Sequence, residues 1–304
     1  MISDELVQRV AEGELQALCE LDAKGIFCAD DENAETLAER VRTLKENQRK
    51  LDLTLQEQGH AEIEDISMRK EDRIPTQLFE KPTAITELLF RFKIDWVSGF
   101  FIDPAYGLFF GGCAYCMIPD FFALFIIRRS FKEKDRWLFY QRDELLAHEL
   151  CHVSRVALAS EIYEEIMAYK TATTAFRRFF GGIFRSPRDS AIFLILVLLL
   201  FISQLCQTFF WPGLPVWPAW LLLVLFCARL LHRHCGDMRR LARAAKHLTA
   251  GFPPDNINAV LFRCNDQEIR QLAELNERQN LLTWLQNRQS SSLRWQVIMA
   301  RFSH

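Results

Sequence analysis

The 304 residues are half apolar, yet 37 lysines and arginines against 39 aspartates and glutamates leave a formal net charge of only −2. With no global basic excess, and no basic stripe interleaved with aromatics away from one apolar block, nucleic acid is excluded as the expected partner. Nine cysteines, an odd number without regular spacing, do not form a disulfide framework and suit a reducing compartment.

The length allows one sizeable core with appendages, or two small domains. The opening Met1-Ile-Ser-Asp-Glu-Leu6 is acidic and polar, unlike a signal peptide. Residues 1 to about 70 read as helical and charged. Leu37, Val41, Leu44, Gln48, Leu51 and Leu55 alternate steps of four and three, a heptad seam with one polar break. Barely three heptads long, the seam suits a helical hairpin packed on its own domain; a dimerising coiled coil, giving a homo-oligomer, is its other use. His60, after a glycine in a polar turn, reads as an exposed histidine.

Pro75 and Pro82 punctuate a polar stretch, and then the character changes. Three short aromatic-rich apolar runs, 96–102, 108–117 and 121–127, are separated by the turn residues of Asp103-Pro104-Ala-Tyr-Gly107 and Pro119-Asp120. They predict three strands in a meander, followed by a further strand at Arg136-Trp-Leu-Phe-Tyr140. The runs are below membrane-spanning length and carry Asp103 and Asp120 between them, which disfavours an embedded reading. Cys113-Ala-Tyr-Cys116 is a single C-x-x-C without a second pair, so buried structural cysteines are the first reading.

From Arg142 to Val156 the chain has neither Gly nor Pro and predicts a helix, with Asp143 and Glu144 placed where the dipole favours acid. It carries His148-Glu149-Leu150-Cys151-His152. Residues four apart share a helical face, so His148 and His152 can direct two imidazoles at one metal ion. Glu149, one step round, can reach a water on that metal, and Cys151 points away from the imidazoles and reads as packing. Ser160 is placed to cap a second helix over 161–169, which holds Glu161, Glu164 and Glu165.

Here the chain resembles the zincin-type zinc metallopeptidases, and among them the gluzincins, whose third zinc ligand is a Glu on a following helix. Glu165-Ile166-Met167-Ala168-Tyr169 is similar to the family's E-x-x-A-D pattern, with Glu165 in the ligand position. Two departures stand out. Tyr169 replaces the Asp that usually partners an imidazole, and the gap from His152 to Glu165 is 13 residues (165 − 152), which requires a tight turn. Glu161 and Glu164 are rivals for the ligand role. The likeness covers roughly thirty residues. It implies an α+β catalytic domain in which a small antiparallel-type sheet stands beside the H-E-x-x-H helix and the Glu helix, its edge strand holding extended substrate.

Further on, Phe176-Arg-Arg-Phe-Phe-Gly-Gly-Ile-Phe-Arg-Ser-Pro-Arg188 is basic and aromatic, as at a membrane interface, with Gly181-Gly182 as a hinge. Ser190–Trp211, 22 residues without a charge, predicts a spanning helix, and Leu214–Leu231, 18 residues with Arg229 near its end, predicts another. Arginines crowd both flanks and the Pro-Trp turn has none, which places both termini and the metal site in the cytoplasm. His232 and His234 read as interfacial. Beyond them Met238–Leu248 is a basic amphipathic helix, Gly251-Phe-Pro-Pro-Asp255 is a break, and Asn265-Asp-Gln-Glu268 starts another helix.

The sequence thus predicts four parts: a helical region 1–70, a zincin-like domain 71–188, a transmembrane hairpin 189–231 and a helical cytoplasmic domain 232–304. The leading expectation is a membrane-anchored zinc (Zn2+) metalloendopeptidase acting on a protein or peptide at the lipid bilayer. His148, His152 and Glu165 are its metal ligands, Glu149 activates the zinc-bound water, and Tyr169 or Tyr163 stabilises the oxyanion. The competing readings are a zinc amidase with Cys113 or Cys116 as third ligand, in the way peptide deformylases use a Cys, and a catalytically inactive membrane-tethered scaffold.

Overall fold

The computed structural model describes residues 2–303 except 64–65, 104–106, 108–109, 118–121 and 276–277; at 116, 117, 122, 278 and 279 it describes the backbone alone. Helices α1 (Asp4–Ala11) and α2 (Leu15–Ala23) lead to α3 (Ala34–Gln58). An Asn33–Thr36 capping box starts α3, and Gly59, in the left-handed region at φ 75°, ends it. Leu37, Val41, Leu44, Leu51 and Leu55 are buried, the first three among the N-terminal helices and the last two against the sheet, so the heptad seam is used inside the chain. Its polar break has a job: Gln48 donates to the Trp96 carbonyl.

Helix does not continue to residue 70. Strands β1 (His60–Ile63) and β2 (Ile66–Arg69) pair antiparallel, with Ala61, Ile66 and Met68 buried and His60, Glu62, Ser67 and Arg69 outside. That alternation has a period of two, which a helix cannot bury on one face.

After α4 (Glu80–Phe90) come β3 (Ser98–Ile102), β4 (Gly112–Met117) and β5 (Phe122–Arg128). Their order is β3-β5-β4. β4 and β5 pair antiparallel, but β3 runs parallel to β5, so the small sheet is mixed and the meander is replaced by a crossover. Burial explains the order. Ala123 to Ile127 of β5 are all buried, a run that needs cover on both faces and neighbours on both sides, whereas Cys113, Ala114 and Tyr115 of β4 are half-buried at the edge. The stretch 136–140 is a hairpin rather than one strand: β6 (Arg136–Trp137) and β7 (Tyr140–Gln141) flank Leu138, whose φ is 50°.

Helices α5 (Arg142–Arg155), α6 (Glu164–Ala168) and α7 (Ala175–Phe180) follow, then two long apolar helices, α8 (Pro187–Phe209) and α9 (Trp217–Leu248). Only 6% and 17% of their most apolar stretches are buried, which rules out a hairpin hidden in a soluble core. The 23 residues of α8 rise about 35 Å, enough for a hydrocarbon layer of about 30 Å. Arg233 of α9 holds Asp189 of α8 at 2.5 Å, and Arg185 pairs with Asp237. The second span and the basic 238–248 segment form one continuous helix, since Gly236 between them crowds nothing and breaks nothing. His234 is buried, its Nε2 2.6 Å from the Phe179 carbonyl, while His232 is exposed.

Short helices α10 (Ile257–Phe262), α11 (Asp266–Glu274), α12 (Arg278–Ser291) and α13 (Leu293–Phe302) end the chain. The largest apolar core takes residues from Ile2 to Phe302 and includes α5 and α6. Inside it, the buried Arg263 donates to Asp22 at 2.9 and 3.0 Å and to the Phe90 carbonyl at 2.8 Å, so α10 is pinned to α2 and α4. This buried guanidinium is tolerated because Asp22 answers its charge and its Nε and Nη1 groups find acceptors.

Gly181 and Gly182 serve close packing instead of a hinge. A Cβ on Gly181 would fall 2.2 Å from the Tyr169 ring, and one on Gly182 would fall 2.8 Å from Ile166, so their backbone lies directly on the Glu-bearing α6. Gly181→Ala should therefore cost about 1–3 kcal/mol by overpacking. Gly236→Ala, with open space around it, should be neutral or stabilise by up to about 1 kcal/mol. Thermal unfolding of the two variants in detergent checks both signs.

Candidate metal centre

Helix α5 buries Leu145, Leu146, Leu150 and Val153, which fixes its rotation and turns His148 and His152 to the remaining face. Their ring centroids are 4.8 Å apart and their Nε2 atoms 3.1 Å apart. Cys151 is fully buried, with its thiol donating to the Ala147 carbonyl, and lies outside the donor group.

The turn from α5 to α6 is tight, and its device differs from the expected Ser160 cap. Asp266, the first residue of α11, accepts from Ser160 Oγ at 2.5 Å and from the N–H groups of Glu161, Ile162 and Tyr163 at 2.8, 2.9 and 3.2 Å. One carboxylate from 106 residues away in sequence thus caps the loop, and the helix begins only at Glu164.

That start brings Glu165 to the imidazoles. Its Oε2 is 3.5 Å from His148 Nε2 and its Oε1 3.5 Å from His152 Nε2. Glu161 is exposed and lies outside this group. Glu164 faces the other edge of the ring: its Oε1 is 3.0 Å from His152 Nδ1 and its Oε2 accepts from Arg155 Nε at 2.7 Å. The partner that the family's Asp usually gives to an imidazole is here supplied by Glu164. Tyr169 instead packs its ring on His148, with centroids 4.5 Å apart, while the His148 ring is hydrogen-bonded to the Ala168 backbone.

The three donor atoms suit one small dication. Bonds of about 2.0–2.1 Å to a tetrahedral ion put ligand atoms about 3.3 Å from each other; here the two imidazole nitrogens are 3.1 Å apart, each Glu165 oxygen is 3.5 Å from a different ring, and one donor atom from each residue lies within 4.8 Å of the others. Electrostatics agrees. Burial pushes the His148 pKa well below its ordinary 6.5, so that ring is neutral. Burial also opposes charge on His152, but the Glu164 hydrogen bond and the surrounding Glu149, Glu164 and Glu165 outweigh it and carry its pKa up to about 9. Lone pairs facing one another around an acidic pocket call for a positive charge between them, and a metal ion competes with a proton for that place. Among the described residues no other group of His, Cys, Asp and Glu converges in this way.

No family model, no curated protein and no solved structure matches this chain. The likeness to gluzincins therefore stands on the geometry, and the geometry matches: an H-E-x-x-H helix with its third acid on the next helix. Cys113 lies outside the donor group and packs with the β4 side of the sheet, where burial and the charge of Glu149 push its pKa up to about 11. The side chain of Cys116 lies outside the described residues.

Beside the donors is a cavity of about 170 Å3. Glu149 lines it, 6% exposed, with Oε2 accepting from the Ala114 N–H of β4 at 2.7 Å; burial pushes its pKa up to about 7. Tyr169 and Tyr140 line it too, and burial raises both phenols, that of Tyr169 to about 12, so their hydroxyls remain donors. Tyr163 is buried and does not reach the cavity. Arg177 closes another wall, 2.7 Å from the buried Glu144, which Thr173 Oγ1 also meets at 2.9 Å. Sequence reasoning missed Tyr140, Arg177 and Glu144. Only Glu144 had a signal, lying four residues before His148 on the same helical face.

Asp266 also has a pH signature. Burial alone would raise its pKa, but the hydrogen bonds from Ser160, Ile162, Glu161 and Tyr163 hold it below the ordinary 3.8. Its folded value is thus the lower one, so its contribution to stability is present above pH 3.8 and is lost as pH falls through the folded value. Asp266→Ala should cost about 1–3 kcal/mol at neutral pH and should flatten the acid limb of stability. Urea unfolding at a series of pH values would show both, and an unchanged acid limb would remove Asp266 from this role.

Proposed function

We propose that this protein is a membrane-anchored zinc metalloendopeptidase that hydrolyses peptide bonds in protein or peptide substrates at the cytosolic face of a lipid bilayer. The observation that carries the reading is the convergence of His148 Nε2, His152 Nε2 and Glu165 on one point, with the buried Glu149 carboxylate on the same helix. His148, His152 and Glu165 would hold the ion, a His2Glu set that suits Zn2+ and leaves a fourth position open. Bound there, Zn2+ supplies Lewis acidity, acidifying an adjacent water and polarising the scissile carbonyl.

The chain's own residues do the rest. Glu149 takes the proton of the attacking water and returns it to the leaving amine. Glu164, charged because Arg155 and His152 outweigh its burial and lower its pKa, accepts from His152 Nδ1 and keeps that ring's other nitrogen turned to the ion. Tyr169 and Tyr140 offer hydroxyl donors to the oxyanion. Substrate lies extended along the outer edge of β4, whose Ala114 N–H already points at Glu149. The arginines flanking α8 and α9, with none in the connecting turn, support a cytosolic site and cytosolic termini.

Purified protein should contain zinc near one equivalent, measured by elemental analysis, and His148→Ala or Glu165→Ala should lose it. Glu164→Gln should keep the site but weaken zinc affinity by about 10–100-fold. Glu149→Gln should retain zinc and lose about 10²–10⁴ of peptidase activity on a casein probe; full activity in that variant would end the peptidase reading. The base works ionised, so activity holds above the Glu149 pKa and falls about tenfold per pH unit below it. That acid limb should lie at or below pH 7, since a nearby dication can only lower the value of about 7.

A further inference from the structure

Outside α8, α9 and the turn between them, large exposed apolar side chains are few among the described residues. Leu15, Leu53, Leu88 and Leu282 each stand alone on their helix. The exceptions come in two pairs. Leu138 and Phe139 form the tip of the β6–β7 hairpin, 55% and 61% exposed, and Phe176 and Phe180 project from α7, 69% and 39% exposed.

Both pairs are joined to the metal cavity by adjacent residues. Tyr140, next to Phe139 and in ring contact with it at 4.5 Å, lines the cavity, and so does Arg177, next to Phe176. The α7 pair is also close to the foot of the apolar hairpin, and the β6–β7 tip is linked to it through Tyr140, which shares the cavity wall with Arg177. The Phe179 carbonyl and ring meet His234 of α9 at 2.6 and 5.2 Å, and Phe184 packs on Phe193 of α8 at 5.7 Å. At that level the pair Asp189–Arg233 and the exposed Arg188 and Arg229 mark where α8 and α9 change from apolar to charged. Leu138 sits at φ 50°, a costly conformation for a branched residue, which keeps an apolar side chain at a tip that a polar turn residue would fill more easily.

The geometry points to a second bilayer contact: the Leu138–Phe139 tip and the Phe176/Phe180 face of α7 rest in the headgroup region beside α8 and α9, so that the metal cavity opens at the lipid surface. Exposed aromatics with arginines on the same short helix are what that region selects. The partner is the lipid bilayer itself. The inference rests on the membrane reading of α8 and α9 and is independent of the chemistry at the metal centre.

The test uses the full chain in vesicles of phosphatidylcholine and phosphatidylglycerol, with p-benzoylphenylalanine placed singly at Phe139, Phe176, Leu198, Leu15 or Leu53. Lipid adducts after irradiation are read by mass spectrometry. Leu198, exposed in the middle of α8, reports the membrane reading. The expected result is lipid labelling at 198, 139 and 176, several-fold above 15 and 53. Labelling at 198 with 139 and 176 no higher than 15 and 53 overturns the second contact and leaves the membrane helices standing. Protein–protein adducts in place of lipid adducts at 139 and 176 assign the patch to a second copy and also overturn it. No lipid at 198 removes the membrane reading and this inference with it.

Discussion

One buried guanidinium organises the candidate metal centre. Arg155, 1% exposed, donates to Glu164 and to the carbonyls of Phe262 and Cys264. Glu164 in turn meets His152. A charge this deep needs an opposite charge and acceptors close by, and Glu164 supplies the opposite charge. The carboxylate accepts from the arginine's Nε and the carbonyls from its Nη1, so the orientation of the His152 ring is tied to the end of α10. Asp266, a few residues further on, caps the loop into α6. The two helices that carry the donors are therefore held by a segment about a hundred residues downstream.

This arrangement gives the apolar hairpin a place in the architecture beyond anchoring. The chain leaves the metal centre through α7, runs out along α8, returns along α9, and then supplies the residues that fix α5 and α6. The return is possible because α9 continues without a break from its apolar half into the core, where Leu241, Ala244 and Leu248 are buried. The pairs Asp189–Arg233 and Arg185–Asp237 set the register of the two helices at that boundary. Gly181 and Gly182, pressed on Tyr169 and Ile166, bring the approach to the hairpin against the Glu-bearing helix. The hairpin's foot is thus packed directly against the helix that carries Glu165.

Much of the centre was legible because it is local. Two histidines four apart, an acid between them and an acid-rich first turn need only helical geometry to acquire meaning. The two spanning helices were legible by length alone. Other features were misread for definite reasons. The β1–β2 hairpin carried a period-two pattern that the helical reading of 1–70 passed over. The strand order was out of reach, because a meander and a crossover share the same three runs and only burial on both faces puts β5 in the centre. Ser160 looked like a cap by type, but its hydroxyl serves a carboxylate that no local pattern links to it.

By itself, the sequence determined which helix brings two imidazoles and an acid together, the H-E-x-x-H helix, and which stretches are long and apolar enough to cross a bilayer, since both depend on spacing along one element. Only the tertiary structure decided between Glu161, Glu164 and Glu165, gave His152 its partner, placed Tyr140 and Arg177 on the cavity wall and left Cys113 aside. Those outcomes depend on side chains from separate elements meeting within a few ångströms, and that meeting is fixed by Arg155, Asp266 and the packed glycines rather than by any neighbour in sequence.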